Sequence, residues 1–229
     1  MNENARLTAQ SLKVAQDRAQ ALFDAVVSEG LIQPGKSESE LSRDIHELAR
    51  RSFGVKRHWH RKVVRAGANT LLTYHEDGEE ARIGEDDVVY LDFGPVFGEW
   101  EADFGRTYVL GEDPLKIKLV ADLGTAFAAG RRHFEAETNL SAGELYDFVE
   151  AKARELGWEF GAPTAGHLIG HFPHERVPDK AKRFSIRHGN AQSLREADDQ
   201  GAPRHWILEI HLVDRTRRFG GFLEELLTA

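Results

Sequence analysis

Two stretches of this chain put carboxylates where a β-strand buries apolar side chains, and that conflict constrains the fold more than any other feature of the sequence. In "DDVVYLDFGPVFGEWEADFGRTYVLG", Asp92 lies inside an apolar strand and Asp103 opens the returning one. A turn centred on Phe97-Gly98 sets Asp92 directly opposite Asp103. Opposed residues on one face have Cβ atoms about 5 Å apart, where like charges repel. In "WILEIHLVDRTRRFGGFLEELL", a turn near Thr216-Arg217 sets Glu209 against Glu224 in the same way. Carboxylates in so apolar a setting must share a proton or a cation. Strand alternation separates Glu224 from Glu225, because Phe222, Glu224 and Leu226 share one face and Glu225 takes the other. Each acid taken alone also reads as a hairpin-end or surface carboxylate; the joint pattern is what carries weight.

The two acidic hairpins sit in a repeated context. Residues 5–29 place Leu12, Ala15, Ala19, Leu22, Phe23 and Val26 at helical spacing, and "SESELSRDIHELARRSFG" follows with a capping box from Ser37 to Glu40 and a stop at Gly54. The same order returns as "DPLKIKLVADLGTAFAAGRRHFEAE" and then "LSAGELYDFVEAKARELG", with a box from Ser141 to Glu144 and Gly157 at its end. Helix pair, extended stretch and acidic hairpin, twice over, predict two halves related by an approximate twofold. Facing hairpins then bring four carboxylates to one centre, a cage for metal.

A nitrogen donor for that cage is available in "GHLIGHFPHE", Gly166 to Glu175, which holds His167, His171 and His174. The spacing of His167 and His171 suggests two zinc ligands on one helix face, but Leu168 replaces the glutamate such a motif needs and Pro173 breaks a helix. The segment is read as irregular or extended, with His167 as the ligand. The polar stretch from Asp179 to Pro203 reads as a loop beside the site.

Composition sets the outer limits. The chain has 229 residues, 41% apolar and 30% charged, with a net charge of −8 and no cysteine. That balance fits one globular domain over residues 1–229, with a helical lead-in over about 1–60. Without thiolates, any metal is held by His, Asp and Glu. The negative charge argues against nucleic-acid binding, and the short basic runs "RRSFGVKRHWHRK" and "RTRR" read as solvated faces. No apolar run is long enough to span a membrane and no hydrophobic signal core opens the chain, so a cytoplasmic protein is expected.

At these residues the chain resembles the pita-bread metallohydrolases: methionine aminopeptidases, aminopeptidase P, prolidases and the creatinase-like enzymes. The family's ordered set of Asp, Asp, His, Glu and Glu is met by Asp92, Asp103, His167, Glu209 and Glu224, within "LDFG…ADFGRTYVLG" and "GHLIG…HERVP". The resemblance implies an α+β pita-bread fold, with duplicated αα-ββ halves around a curved antiparallel sheet. It implies two divalent ions (Mn, Co, Fe or Zn, with Mn favoured), bridged by Asp103 and Glu224, with Asp92 chelating one and His167 and Glu209 completing the other. Glu209 doubles as general base, and His174 and His75 act on substrate and oxyanion. The implied activity is aminopeptidase or dipeptidase action on short peptides, Xaa-Pro peptidase-like, with a homodimer left open as the assembly.

Three departures bear on specificity. "LEIHLVD" replaces the family's usual segment around Glu209 and introduces His211; Pro163 stands where Xaa-Pro enzymes tend to carry a histidine; and "YHEDG" replaces the histidine-glycine-isoleucine-proline stretch of methionine aminopeptidases. A creatinase-like C–N hydrolase of a small metabolite, or a binding protein on the same scaffold, are the alternatives.

Overall fold

The structure is a computed structural model that describes residues 3–174 and 183–228. Helices α1 (Glu3–Ser28) and α2 (Glu38–Phe53) precede strands β1 (Val63–Ala66), β2 (Val88–Phe93), β3 (Val96–Phe97), β4 (Trp100–Glu101) and β5 (Phe104–Val109). Helices α3 (Pro114–Ala136) and α4 (Ala142–Glu155) then precede β6 (Glu159–Phe160), β7 (Leu168–Ile169), β8 (His205–Asp214) and β9 (Phe219–Leu226). The two boxed helices start as their sequences dictate. Ser37 accepts from the Glu40 amide at 3.2 Å while Glu40 accepts from the Ser37 amide at 2.8 Å, and Ser141 with Glu144 repeats both distances. Gly54 closes α2 in the left-handed region at φ 67°, a conformation that favours glycine.

Seven strands form one antiparallel sheet in the order β1-β2-β5-β9-β8-β6, with β7 paired to β8, while β3 and β4 pair separately. The first hairpin (β2, β5) and the second (β9, β8) meet at the centre through Gly105 and Glu224. This is the duplicated arrangement expected from the sequence. Alternation along the strands then divides the molecule. Val89, Leu91 and Phe93 pack with Leu22, Phe23, Leu41 and Ile45 of the first helix pair. Leu208, Ile210 and Leu212 pack with Leu123, Leu145 and Val149 of the second. The other parity, Tyr90, Asp92, Glu209, His211, Phe222 and Glu224, lines a cavity on the opposite side.

Register agrees with the sequence reading in one hairpin and differs in the other. Glu209 pairs with Glu224 as expected. Asp92, however, pairs with Gly105 rather than Asp103, because Phe97 pairs with Trp100 and the turn falls one residue later, at Gly98-Glu99. Gly98, at φ 67°, supplies the left-handed turn residue. The partner therefore shifts by two positions, which preserves the face on which each side chain stands. Asp103 remains a diagonal neighbour of Asp92.

Gly105 sits where the hairpins meet: a Cβ there would lie 2.6 Å from the Phe222 ring and 3.0 Å from the Glu224 Cβ. Gly105→Ala is expected to lower stability by about 1–3 kcal/mol through overpacking, read as a lower urea midpoint at unchanged slope.

Candidate metal centre

Four carboxylates and two imidazoles converge at the floor of a cavity of about 680 Å³. Asp103 is central: its Oδ1 is 3.0 Å from His60 Nε2 and its Oδ2 is 3.2 Å from His167 Nε2. His60 Nε2 also lies 3.6 Å from Asp92 Oδ1. From the other hairpin, Glu209 Oε1 and Glu224 Oε1 stand 3.4 and 3.9 Å from His167 Nε2. Asp92, Asp103 and Glu224 are buried.

Such crowding disturbs every proton. Burial drives Asp92 up to about 7 against the pull of His60, with Asp103 and Glu209 adding to the rise. Burial also raises Glu209 and, with the Asp103 charge, lifts Glu224 well above the usual carboxylate range. Asp103 goes the other way; burial opposes its charge, but His60 and His167 hold its carboxyl low. Burial likewise works against charging the two imidazoles, yet the carboxylates around them hold both at about 9.

The donor set fits divalent cations. Asp92 Oδ1 and Glu224 Oε2 are buried without a hydrogen-bond partner, an arrangement costly in the interior unless something positive meets those atoms. Two groups of donors, His60–Asp92–Asp103 and Asp103–His167–Glu224, each have ligand atoms within 4.8 Å of one another. They share Asp103, and carboxylate with imidazole suits Mn, Fe, Co or Zn. Glu225 faces away and is bound by Arg106 and Arg131, as alternation requires.

The histidines divide. His174 lines the cavity, and its Nδ1–H donates to Glu101 at 2.7 Å. His75 lines the cavity as an exposed residue with its ring edge-on to Tyr74 at 5.1 Å. His211 also lines it but is held as a structural group, its Nε2–H donating to the Thr70 carbonyl at 2.8 Å. His171 lies outside, 3.5 Å from the exposed Glu99. The motif's end, Glu175 to Pro178, lies outside the described residues. Of the polar stretch before β8, Phe184 reaches the cavity.

Three residues escaped the sequence reading. His60, whose side chain is only 8% exposed, and Trp59 belong to a run read there as a solvated face. That expectation is overturned for both: Trp59 packs edge-on to His60, His167 and His174 at 4.5, 5.4 and 5.2 Å, and its indole N–H donates to the Ala102 carbonyl at 2.9 Å. The available signal was "HWH" two residues ahead of the Val63-Val64 strand start. Glu101 is fully buried and also accepts from the His174 and Gly170 amides; its signal was the alternation of Glu99, Glu101 and Asp103.

Residues 10–197 match metallopeptidase family M24, and the chain belongs to that family. Over 146 residues it is 25% identical to an Xaa-Pro dipeptidase of Pyrococcus furiosus, covering 63% of this chain and 41% of that protein. The chain thus spans less than half the length of this relative. Its fold matches an X-Pro aminopeptidase from Thermotoga maritima at TM-score 0.75 and 19% identity, covering 100% of this chain and 62% of that one. It also matches a methionine aminopeptidase from Rickettsia prowazekii at TM-score 0.71 and 16% identity, covering 100% and 98%. Among the described residues, no helix is long and apolar enough to cross a membrane.

Burial holds His211 neutral, its pKa lowered to about 4 from 6.5. The folded state therefore binds fewer protons than the unfolded chain between those values. The stability so conferred is complete above pH 6.5 and is lost as pH falls toward 4. Metal-free wild type is expected to lose roughly 2 kcal/mol more than His211→Gln between pH 7 and pH 5, measured by urea unfolding at each pH.

Proposed function

We propose that this chain is a dinuclear metal-dependent peptidase that hydrolyses an amide bond near the N-terminus of a short peptide. The observation that carries this reading is the meeting of both acidic hairpins, Asp92 and Asp103 with Glu209 and Glu224, beside His167 in one cavity. In the roles proposed, Asp103 and Glu224 would serve both ions, Asp92 would serve one, and His167 with Glu209 would serve the other. When bound, the ions supply a Lewis acid for the substrate carbonyl and an acidified water as nucleophile. Manganese is the metal we favour, because four of the five donors are carboxylates.

The chain's own groups do the remaining work. Glu209, with its pKa raised by burial, accepts the proton of the attacking water at its carboxylate and returns it to the leaving amine. His174, with Nδ1–H committed to Glu101, turns Nε2 to the substrate. The Glu101 carboxylate fixes the ring's orientation, so that Nε2 faces the developing oxyanion. Trp59 fixes the faces of three histidines and keeps water from them. His75, at the exposed mouth, guides the peptide. The names carried by the relatives support Xaa-Pro peptides as the first substrates to test.

A second reading, a C–N hydrolase of a small non-peptide amide, draws on Pro163 lining the cavity in place of the histidine expected of Xaa-Pro enzymes.

The test is a mixed short-peptide library incubated with Mn-loaded protein and followed by mass spectrometry, beside Asp92→Ala. Loss of N-terminal residues in the wild type alone is expected. No cleavage by protein carrying two ions would refute the peptidase and move the assignment to the second reading. In the same assay Glu101→Gln is expected to lower kcat about 10²-fold or more with unchanged KM and metal content; an unchanged kcat would leave Glu101 a structural residue only.

A further inference from the structure

We infer that His60 is a metal ligand, so that each ion of the proposed pair carries one imidazole: His60 with Asp92 and Asp103, His167 with Glu224 and Asp103. The inference rests on the dinuclear reading above and adds to it a nitrogen donor that the ordered set of five ligands does not contain.

The two histidines are presented alike. His60 Nδ1–H donates to the carbonyl of the next residue, Arg61, at 2.6 Å, and His167 Nδ1–H donates to that of Leu168 at 2.8 Å. A ring whose Nδ1–H is tied to a backbone carbonyl offers its Nε2 lone pair outward, the usual arrangement behind a metal-bound imidazole. In both cases Nε2 points at carboxylate oxygen: His60 at Asp103 Oδ1, 3.0 Å away, and at Asp92 Oδ1, 3.6 Å away. Without metal a proton stands between each Nε2 and these oxygens, the place a divalent ion takes when an imidazole becomes its ligand. Asp92 Oδ1 is itself buried with no hydrogen-bond partner. Charge agrees as well, since four carboxylates balance two divalent ions and a neutral imidazole adds a donor at no cost in charge.

The surroundings are shaped for this ring. A Cβ on Gly94 would lie 2.1 Å from His60 Cδ2 and 2.4 Å from its Nε2, so glycine there makes room for the imidazole. Trp59 closes the other side at 4.5 Å between ring centroids.

The experiment titrates metal-free protein with Co(II), by calorimetry and by proton NMR in water, where each Nε2-bound imidazole gives one exchangeable, hyperfine-shifted N–H signal. Wild type is expected to bind two ions and show two such signals. His60→Ala is expected to lose one signal and to weaken one of the two ions by about tenfold or more, with the other kept and the far-UV spectrum unchanged. Gly94→Ala, which displaces the ring without removing it, is expected to weaken the same ion. Two bound ions with a single shifted signal in wild type, and unaltered affinity in His60→Ala, would overturn the inference and leave His60 a hydrogen-bonding partner. A wild type that binds no Co(II) would overturn the dinuclear reading itself.

Discussion

Four carboxylates, three of them buried and Glu209 half-buried, are gathered on one face of an antiparallel sheet, and the rest of the structure is arranged around the cost of holding them there. Each hairpin delivers two of them: Asp92 and Asp103 from the first, Glu209 and Glu224 from the second. Neither hairpin brings enough positive charge to offset its own acids. His60 and His167 reach Asp103 from outside the strands, at 3.0 and 3.2 Å, and still leave Asp92 Oδ1 and Glu224 Oε2 without partners. A buried charge without compensation destabilises by several kcal/mol, so an uncompensated cluster of this kind persists only where the scaffold has stability to spare or where a cation completes it. The duplicated helix pairs provide the first. Phe23 against Phe93 and Phe104, at 6.1 and 5.0 Å, ties the first hairpin to α1, while the opposite face of the same strands carries the acids.

How much of this could be read from the sequence depended on the range of the interaction involved. Helix starts were legible because a capping box is settled within four residues, and Ser37 and Ser141 behave alike. The pairing of Glu209 with Glu224 was legible because β8 and β9 run without interruption across the turn. The first hairpin was misplaced because its ladder breaks around Gly94-Pro95 and resumes as the short β3-β4 pair, where local pattern does not fix the turn. The site survived the error, since a displacement by two residues leaves the parity of Asp92 and Asp103 intact.

His60 and Trp59 were hidden for a different reason. They lie within a cluster of Lys and Arg that composition assigns to solvent, and their burial follows from tertiary packing against Gly94 and Ala102. Glu101 was hidden by its neighbours, three acids at alternating positions of which only some face inward. It is fully buried because it accepts from two backbone amides and from His174. Long-range partners of this kind cannot be inferred from the spacing of either partner alone.

The fold does not choose the substrate. The chain superposes almost equally on an X-Pro aminopeptidase and on a methionine aminopeptidase, at TM-scores 0.75 and 0.71, so the shared framework cannot be what separates their specificities. Choice must lie in the segments that line the cavity without belonging to the sheet. Here those are Trp59 and His60, the stretch from Thr73 to His75, the turn from Ala162 to Thr164, and Phe184. Each comes from a connection rather than a strand. Aromatic rings dominate the wall while carboxylates occupy the floor, the usual division between apolar lining and a few placed polar groups in a ligand site. The hairpins hold the four acids, while the connections carry both the histidines of the site and the aromatic wall, so a connection can diverge only where it does not carry one of those histidines.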